Sequence, residues 1–208
     1  MEGSIKAGGN IQFLLDNTGS RMDVTTCCYS YMFSYCTSLT QAPELPATTL
    51  ADRCYYAMFL GCSSLTQAPE LPATSLAVDC YNRMFAYCSS LTQAPELPAT
   101  TLSYCCYSNM FVDCTSLTQA PELPATTLAE SCYAYMFWGC KLPFTFPDKT
   151  FDEMVDLIQD QWLIGEYWYY YDEEDNEVII NPVEIICSDK TMLATFDIDE
   201  YTWTLTEK

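Results

Sequence analysis

The chain has 208 residues, half of them apolar and only 17% charged, which is enough apolar material for a sizeable core and too little charge for general disorder. Its formal charge is -20, with eight Lys and Arg and no His, so direct binding to nucleic-acid phosphate is excluded as an expectation. No run approaches the roughly 18 apolar residues that span a bilayer, and the opening Met-Glu-Gly-Ser-Ile-Lys lacks the order of a secretory signal. A cytoplasmic or virion-associated protein without membrane contact is expected.

In chain order, residues 9–15 (Gly-Asn-Ile-Gln-Phe-Leu-Leu) form an apolar run able to start a sheet, within an N-terminal cap over 1–27. The string Thr-Gln-Ala-Pro-Glu-Leu-Pro-Ala-Thr then begins at Thr40, Thr66, Thr92 and Thr118 with a fixed period of 26. A second string, Cys-Tyr-x-x-Met-Phe-x-x-Cys, occurs five times, over 28–36, 54–62, 80–88, 106–114 and 132–140. Such units bury their apolar sides only by stacking, so a solenoid of five 26-residue turns is expected over 28–149.

Within 54–62 the retained residues Cys54, Tyr55, Met58, Phe59 and Cys62 stand at offsets 0, 1, 4, 5 and 8, the pattern of one helix side. A helix of about two turns per unit follows. Leu65 and Ala68 predict a short strand over 64–68, ended by Pro69, which has no amide for a sheet. After Cys140 the repeat degenerates. Thr150 to Glu153 reads as a capping box, and Phe151, Met154, Val155, Ile158 and Trp162 continue a helix over 151–162. Residues 166–208 alternate aromatic or β-branched with acidic residues around a turn at 173–176, which predicts a hairpin or small antiparallel meander. The last segment, 150–208, is therefore an α+β cap, and residues 141–208 hold 17 of the 28 acidic side chains.

Met58-Phe59-Leu60-Gly61-Cys62-Ser63-Ser64-Leu65-Thr66, with its copies at 32–40, 84–92 and 110–118, resembles the Ala-Phe-x-x-Cys-x-Ser-Leu-x signature of BspA-type leucine-rich repeats. The resemblance covers about residues 28–142. It implies an α/β repeat, a right-handed leucine-rich-repeat solenoid, used for attachment or recognition in gut and oral bacteria, their phages and some protists. The Gln-Ala-Pro-Glu-Leu-Pro-Ala-Thr stretch resembles repeats of Bacteroides-type surface proteins and of phage tail-fibre or other virion proteins.

Thirteen cysteines invite a reading as disulfides or a metal site. Two thiols eight residues apart on a helix are separated by about 12 Å, and helices stacked at roughly 8–10 Å hold equivalent thiols apart too. Buried free thiols are expected, with Cys27, Cys105 and Cys187 outside the repeat ladder. No His and no Cys-x-x-Cys pair offers zinc a site. The run 172–177 lacks the glycine and distal Glu of an EF-hand loop. Without His, a Gly-rich phosphate loop or a nucleophile elbow, neither cofactor nor catalysis is expected, and the ladder of Glu44, Glu70, Glu96 and Glu122 reads as architecture.

Binding is the remaining expectation. Positions that differ between units fall opposite the Cys/Met/Phe side of the expected helix, and they include Arg53, Tyr56, Arg83, Tyr87, Tyr104, Tyr135 and Trp138, types that anchor interfaces. Two other surfaces compete. One is the strand side, where Thr40/Gln41 recur as Thr66/Gln67, Thr92/Gln93 and Thr118/Gln119. The other is an acidic patch of Asp172, Glu173, Glu174, Asp175 and Glu177 beside the aromatic run 167–171. A recognition protein for a protein partner or a surface glycan is the leading expectation. A virion or tail-fibre component and an acidic mimic that blocks a nuclease are the alternatives.

Overall fold

A computed structural model describes residues 4–12, 26–140, 143–159, 163–164, 168–171, 177–180, 183–197 and 199–208, with 168–171 and 177–180 described for their backbone. The 26-residue units do stack, but not as helices. Among the described residues the one α-helix is Phe151–Gln159, and the repeat string over 54–62 is a chain of turns. The right-handed α/β leucine-rich-repeat solenoid, with a helix in each turn and a strand ladder beside it, is thereby overturned.

The cause lies in the backbone. A left-handed residue stands at every fourth position, at Arg53, Ala57 and Gly61, then Asp79, Arg83 and Tyr87, then Cys105, Asn109 and Asp113. A right-handed run is interrupted too often for any N–H to reach a carbonyl four residues back. Instead alternate amides take two different routes. Those of Cys54, Tyr56, Met58, Leu60 and Cys62 close turns on the carbonyls three residues before them, at 3.0–3.2 Å. Those of Arg53, Tyr55, Ala57, Phe59 and Gly61 donate to Val78, Cys80, Asn82, Met84 and Ala86 of the next unit, at 2.8–3.1 Å. Each left-handed L-residue costs about 1 kcal/mol, and the inter-unit bonds, near 1 kcal/mol each, together with burial offset that cost.

The side chains stack in register with the amides. Phe33, Phe59, Phe85, Phe111 and Phe137 form one column with centroids 5.6–5.8 Å apart and planes within 10°. Tyr29, Tyr55, Tyr81, Tyr107 and Tyr133 form a second, 5.5–5.9 Å apart. Neighbouring units are thus closer than the 8–10 Å of packed helices. The thiols of Cys62, Cys88, Cys114 and Cys140 donate to the Phe carbonyls of the preceding unit, at 3.0–3.2 Å. All thirteen cysteines are free thiols, and Cys187 is buried while Cys27 is exposed.

The expected strand at 64–68 is absent. The first unit has one, β2 (Leu39–Gln41), which pairs in parallel with β1 (Ile5–Lys6) rather than with the next repeat. In the second and third units the equivalent residues form no strand, with Pro69 and Pro72 supplying no amide, whereas Gln119 of the fourth bridges in parallel to Thr145, whose carbonyl accepts from the Ala120 amide at 2.8 Å. The N-terminal run continues beside the first unit, where Glu44 donates to the Gly9 carbonyl and Ile11 to that of Glu44. Residues 13–15 lie outside the described part.

At the other end β3 (Phe144–Thr145) is parallel to β6 (Val183–Ile186), which continues antiparallel through β7 (Thr191–Asp197) to β8 (Thr202–Glu207). Phe144 and Phe146 meet Phe137 at 5.0 and 5.4 Å, tilted and edge-on, and so end the ring column. Helix α1 (Phe151–Gln159) starts at the expected box. The Thr150 amide donates to Glu153 at 2.8 Å, and the Glu153 amide returns to the Thr150 hydroxyl at 3.4 Å. Those Thr150 bonds hold the Glu153 carboxyl below its usual range. The last part of the expected helix, 160–162, lies outside the described residues. A hairpin of β4 (Trp168–Tyr171) and β5 (Glu177–Ile180) completes the cap.

The stack leaves little room at Gly139, whose φ is +73° and whose added Cβ would stand 2.2 Å from Asp113 Oδ1. Gly139→Ala is expected to cost about 2–4 kcal/mol, from the left-handed conformation and the overlap together. Urea unfolding measures the loss, and Asp113→Gly in the same chain should restore part of it. Equal stability of Gly139→Ala and the parent would refute the assigned packing.

Candidate functional site

Because the repeat strings are turns, the variable positions do not form one outer helical face. Arg53, Arg83, Tyr87 and Tyr104 are exposed. Tyr56, Tyr135 and Trp138 are half-buried on a small apolar cluster of Ala57, Leu60, Ala86 and Val112, separate from the main core. Tyr135 and Trp138 meet edge-to-face at 6.2 Å. Arg53, Arg83, Tyr87 and Tyr135 are also left-handed residues. The variable set is therefore partly exposed and partly the side wall of the stack.

Of this set Arg53 and Tyr56 line a concavity of about 360 Å³ at the start of the turn strings of the first three units. It is lined by Cys27, Ser30, Tyr31, Arg53, Tyr56, Asp79 and Asn82. Arg53 Nε pairs with Asp79 Oδ2 at 3.1 Å, and Asn82 Nδ2 donates to Asp79 Oδ1 at 2.8 Å. The hydrogen bond and then the charge of Asp79 raise the Arg53 pKa further above its ordinary value. Since a carboxylate only accepts, the Asp79 bond fixes which end of the Asn82 amide is nitrogen. Asn82 is only 9% exposed, and its Oδ1 has no hydrogen-bond partner. A buried acceptor left without a donor costs about 1–3 kcal/mol.

The rim is aromatic. Tyr31 is 52% exposed and lies 5.3 Å from the Tyr56 ring at 59°. Burial, followed by the Tyr31 hydrogen bond, raises the Tyr56 pKa. The equivalent residues of later units, Cys105, Ser108, Ser131 and Ala134, carry no such set of charges and amide.

The strand side offers grooves instead of a polar ladder. One of about 700 Å³ runs between the third and fourth units along Gln93, Pro95, Glu96, Pro98 and Glu122. Another, of about 380 Å³, lies along Glu44, Pro46, Glu70 and Pro72. Thr66/Gln67, Thr92/Gln93 and Thr118/Gln119 are exposed there, whereas Thr40 donates to the Ile5 carbonyl at 3.1 Å. Of the acidic patch, Asp172, Glu173, Glu174 and Asp175 lie outside the described residues, and Glu177 opens β5 opposite Tyr171.

Sequence reasoning retained Arg53 and Tyr56 but passed over Ser30, Tyr31, Asp79 and Asn82. The signal was present in the repeat itself, since Asp79 and Asn82 replace Arg53 and Tyr56 one unit later and place a carboxylate beside a guanidinium. Among the described residues no cluster of three or more His, Cys, Asp or Glu is placed to hold a metal ion, and no helix is long and apolar enough to cross a membrane. No family model, no curated protein and no solved structure matches this chain.

Proposed function

We propose that the protein is a non-enzymatic recognition module, in which a stack of repeats presents the variable face to a protein partner or a surface glycan. The observation that carries this reading is the division of labour between positions. From the second unit on, the Cys, Tyr, Met and Phe of the repeated string are buried in columns, while Arg53, Arg83, Tyr87 and Tyr104 stand at positions that vary between units and are exposed, and Arg53 lines a concavity whose residue set the later units do not repeat. Arg and Tyr supply directional bonds and rigid apolar area at small entropic cost, the combination that concentrates binding energy at interfaces.

The test is capture by tagged protein from envelope and cytosolic fractions of a Bacteroides-type gut cell, the setting that the sequence resemblance implies. A chain carrying Arg53→Ser, Arg83→Ser, Tyr87→Ser and Tyr104→Ser is expected to lose its partner while unfolding at a similar urea concentration. Undiminished capture by that variant would remove this face as the binding surface.

A further inference from the structure

The groove between the third and fourth units joins an extended backbone with free amides to two exposed carboxylates outside any ion pair. We propose that it binds an extended segment of a protein partner that carries an Arg or Lys side chain, a contact separate from the variable face and independent of it.

The groove, of about 700 Å³, is walled by two copies of one string, residues 92–98 of the third unit and residues 118–122 with Pro124 of the fourth. From Pro95 to Thr100 burial alternates, with Pro95, Leu97 and Ala99 inward and Glu96, Pro98 and Thr100 outward, so the third-unit wall is an extended chain. Such a chain directs its N–H and C=O groups sideways, where a sheet would pair them. Pairing is missing here. Among the described residues the amides of Thr92, Gln93, Ala94, Glu96 and Leu97 have no acceptor in the protein, and no backbone bond joins residues 92–98 to the strips on either side. The fourth-unit wall pairs on its far flank, where Ala120 donates to Thr145 at 2.8 Å, and carries no such bond toward the third unit. Prolines at 95, 98, 121 and 124 hold φ fixed and keep both walls extended without a sheet, so little order has to be gained on binding. An extended peptide supplies acceptors and donors at the same repeat of about 3.3 Å per residue, and walls of this length take about five residues.

Charge selects among peptides. Glu96 and Glu122 stand at equivalent positions of the two walls, and both are exposed. The ion pairs among the described residues use Asp79, Asp148, Glu207 and Glu184, and no Lys or Arg lines the groove. A cationic side chain entering here is attracted from both walls, and an Arg fork has donors enough for both carboxylates. A neutral saccharide would satisfy the amides and leave the carboxylates unused. A polyamine would do the reverse. The smaller groove of about 380 Å³ carries the equivalent pair Glu44 and Glu70, which makes it an internal control for charge alone.

The test is titration of the ¹⁵N-labelled whole chain, at low salt, with the capped peptide acetyl-Ala-Thr-Arg-Thr-Ala-amide, followed by amide NMR shifts. N-acetylarginine amide and spermidine serve as comparators. The largest shifts are expected at Gln93, Ala94 and Leu97, with the peptide binding more tightly than either comparator. Glu96→Gln combined with Glu122→Gln is expected to weaken the peptide by about fivefold, and replacing its Arg by Gln by a similar factor. Glu44→Gln combined with Glu70→Gln removes the same charge from the same string and is expected to change the affinity by less than about twofold. Matched urea midpoints separate lost contacts from lost fold.

Absence of shifts over residues 92–97 at several millimolar peptide overturns the proposal. Equal weakening by the two double variants overturns it as well, since the attraction would then be that of the whole acidic chain. Comparators that bind as tightly as the peptide would show that the backbone takes no part, with the same result. The fourfold serine variant is expected to bind the peptide undiminished, and a loss there would move the contact to the variable face.

Discussion

Raising the pH from 8 to above about 10 is expected to unfold the protein cooperatively, with the structure lost within roughly one unit of the ordinary thiol pKa. Burial pushes the thiols of Cys54, Cys62 and Cys106 up to about 12 and that of Cys132 to about 11, from an ordinary value of 9.0. The thiols of Cys80, Cys88 and Cys114 rise further for the same reason. All seven residues have no solvent exposure.

Below pH 9 folded and unfolded chains hold the same thiol protons, and stability is flat in this respect. Between 9 and 12 the unfolded chain releases protons that the folded chain keeps, so stability falls as pH rises. Each thiol contributes roughly 1 kcal/mol per pH unit, and seven together on the order of 10, comparable with the 5–15 kcal/mol that holds an ordinary domain folded. Near-UV circular dichroism in reducing buffer follows the transition. Intact tertiary signal at pH 11 would show that these thiols are not sealed from water.

Phe85→Ala is expected to cost about 3–5 kcal/mol, near the upper end for a single core substitution. Phe85 has no solvent exposure and stacks on both sides, with Phe59 at 5.6 Å and Phe111 at 5.8 Å. Removing it opens a gap in the middle of a column whose walls are fixed by backbone bonds to both neighbouring units. Phe33→Ala removes the same ring from a half-buried place with one described stacking partner, and should cost less than half as much. Urea midpoints of the two variants give the comparison. Equal losses would mean that the column is not a continuous packing element.

The period of 26, the identity of the buried residues and the capping box at Thr150 were legible in the sequence because each depends on composition at fixed spacing. The local conformation was not. Offsets 0, 1, 4, 5 and 8 suit a helix of 3.6 residues per turn, and they suit equally a turn that repeats every four. Left-handed positions would have separated the two had they carried Gly or Asn. Most carry Arg, Tyr, Ala or Asp, and only Gly61, Gly139 and Asn109 hint at the true backbone.

The strand was misjudged for a related reason. Leu65 and Ala68 stand three residues apart where a strand face needs two, and Leu71 and Ala73, which do alternate inward, lie in a chain whose prolines at 69 and 72 supply no amide for pairing. The candidate site was half visible. Residue type pointed to Arg53 and Tyr56, while the place of Asn82 depends on its bond to Asp79, which no sequence displays.

The columns of identical rings and thiols have a consequence for assembly of the chain. A unit docked on the wrong neighbour, one repeat out of place, would bury the same Phe, Tyr and Cys and form the same amide bonds, so the columns carry no address. What distinguishes one unit from the next is the variable set: Arg53 finding Asp79, the ring of Tyr35 lying over Gly61, and Asp113 lying over Gly139. These contacts favour some successors over others. The residues that vary thus spell out the order of the stack, as well as its surface.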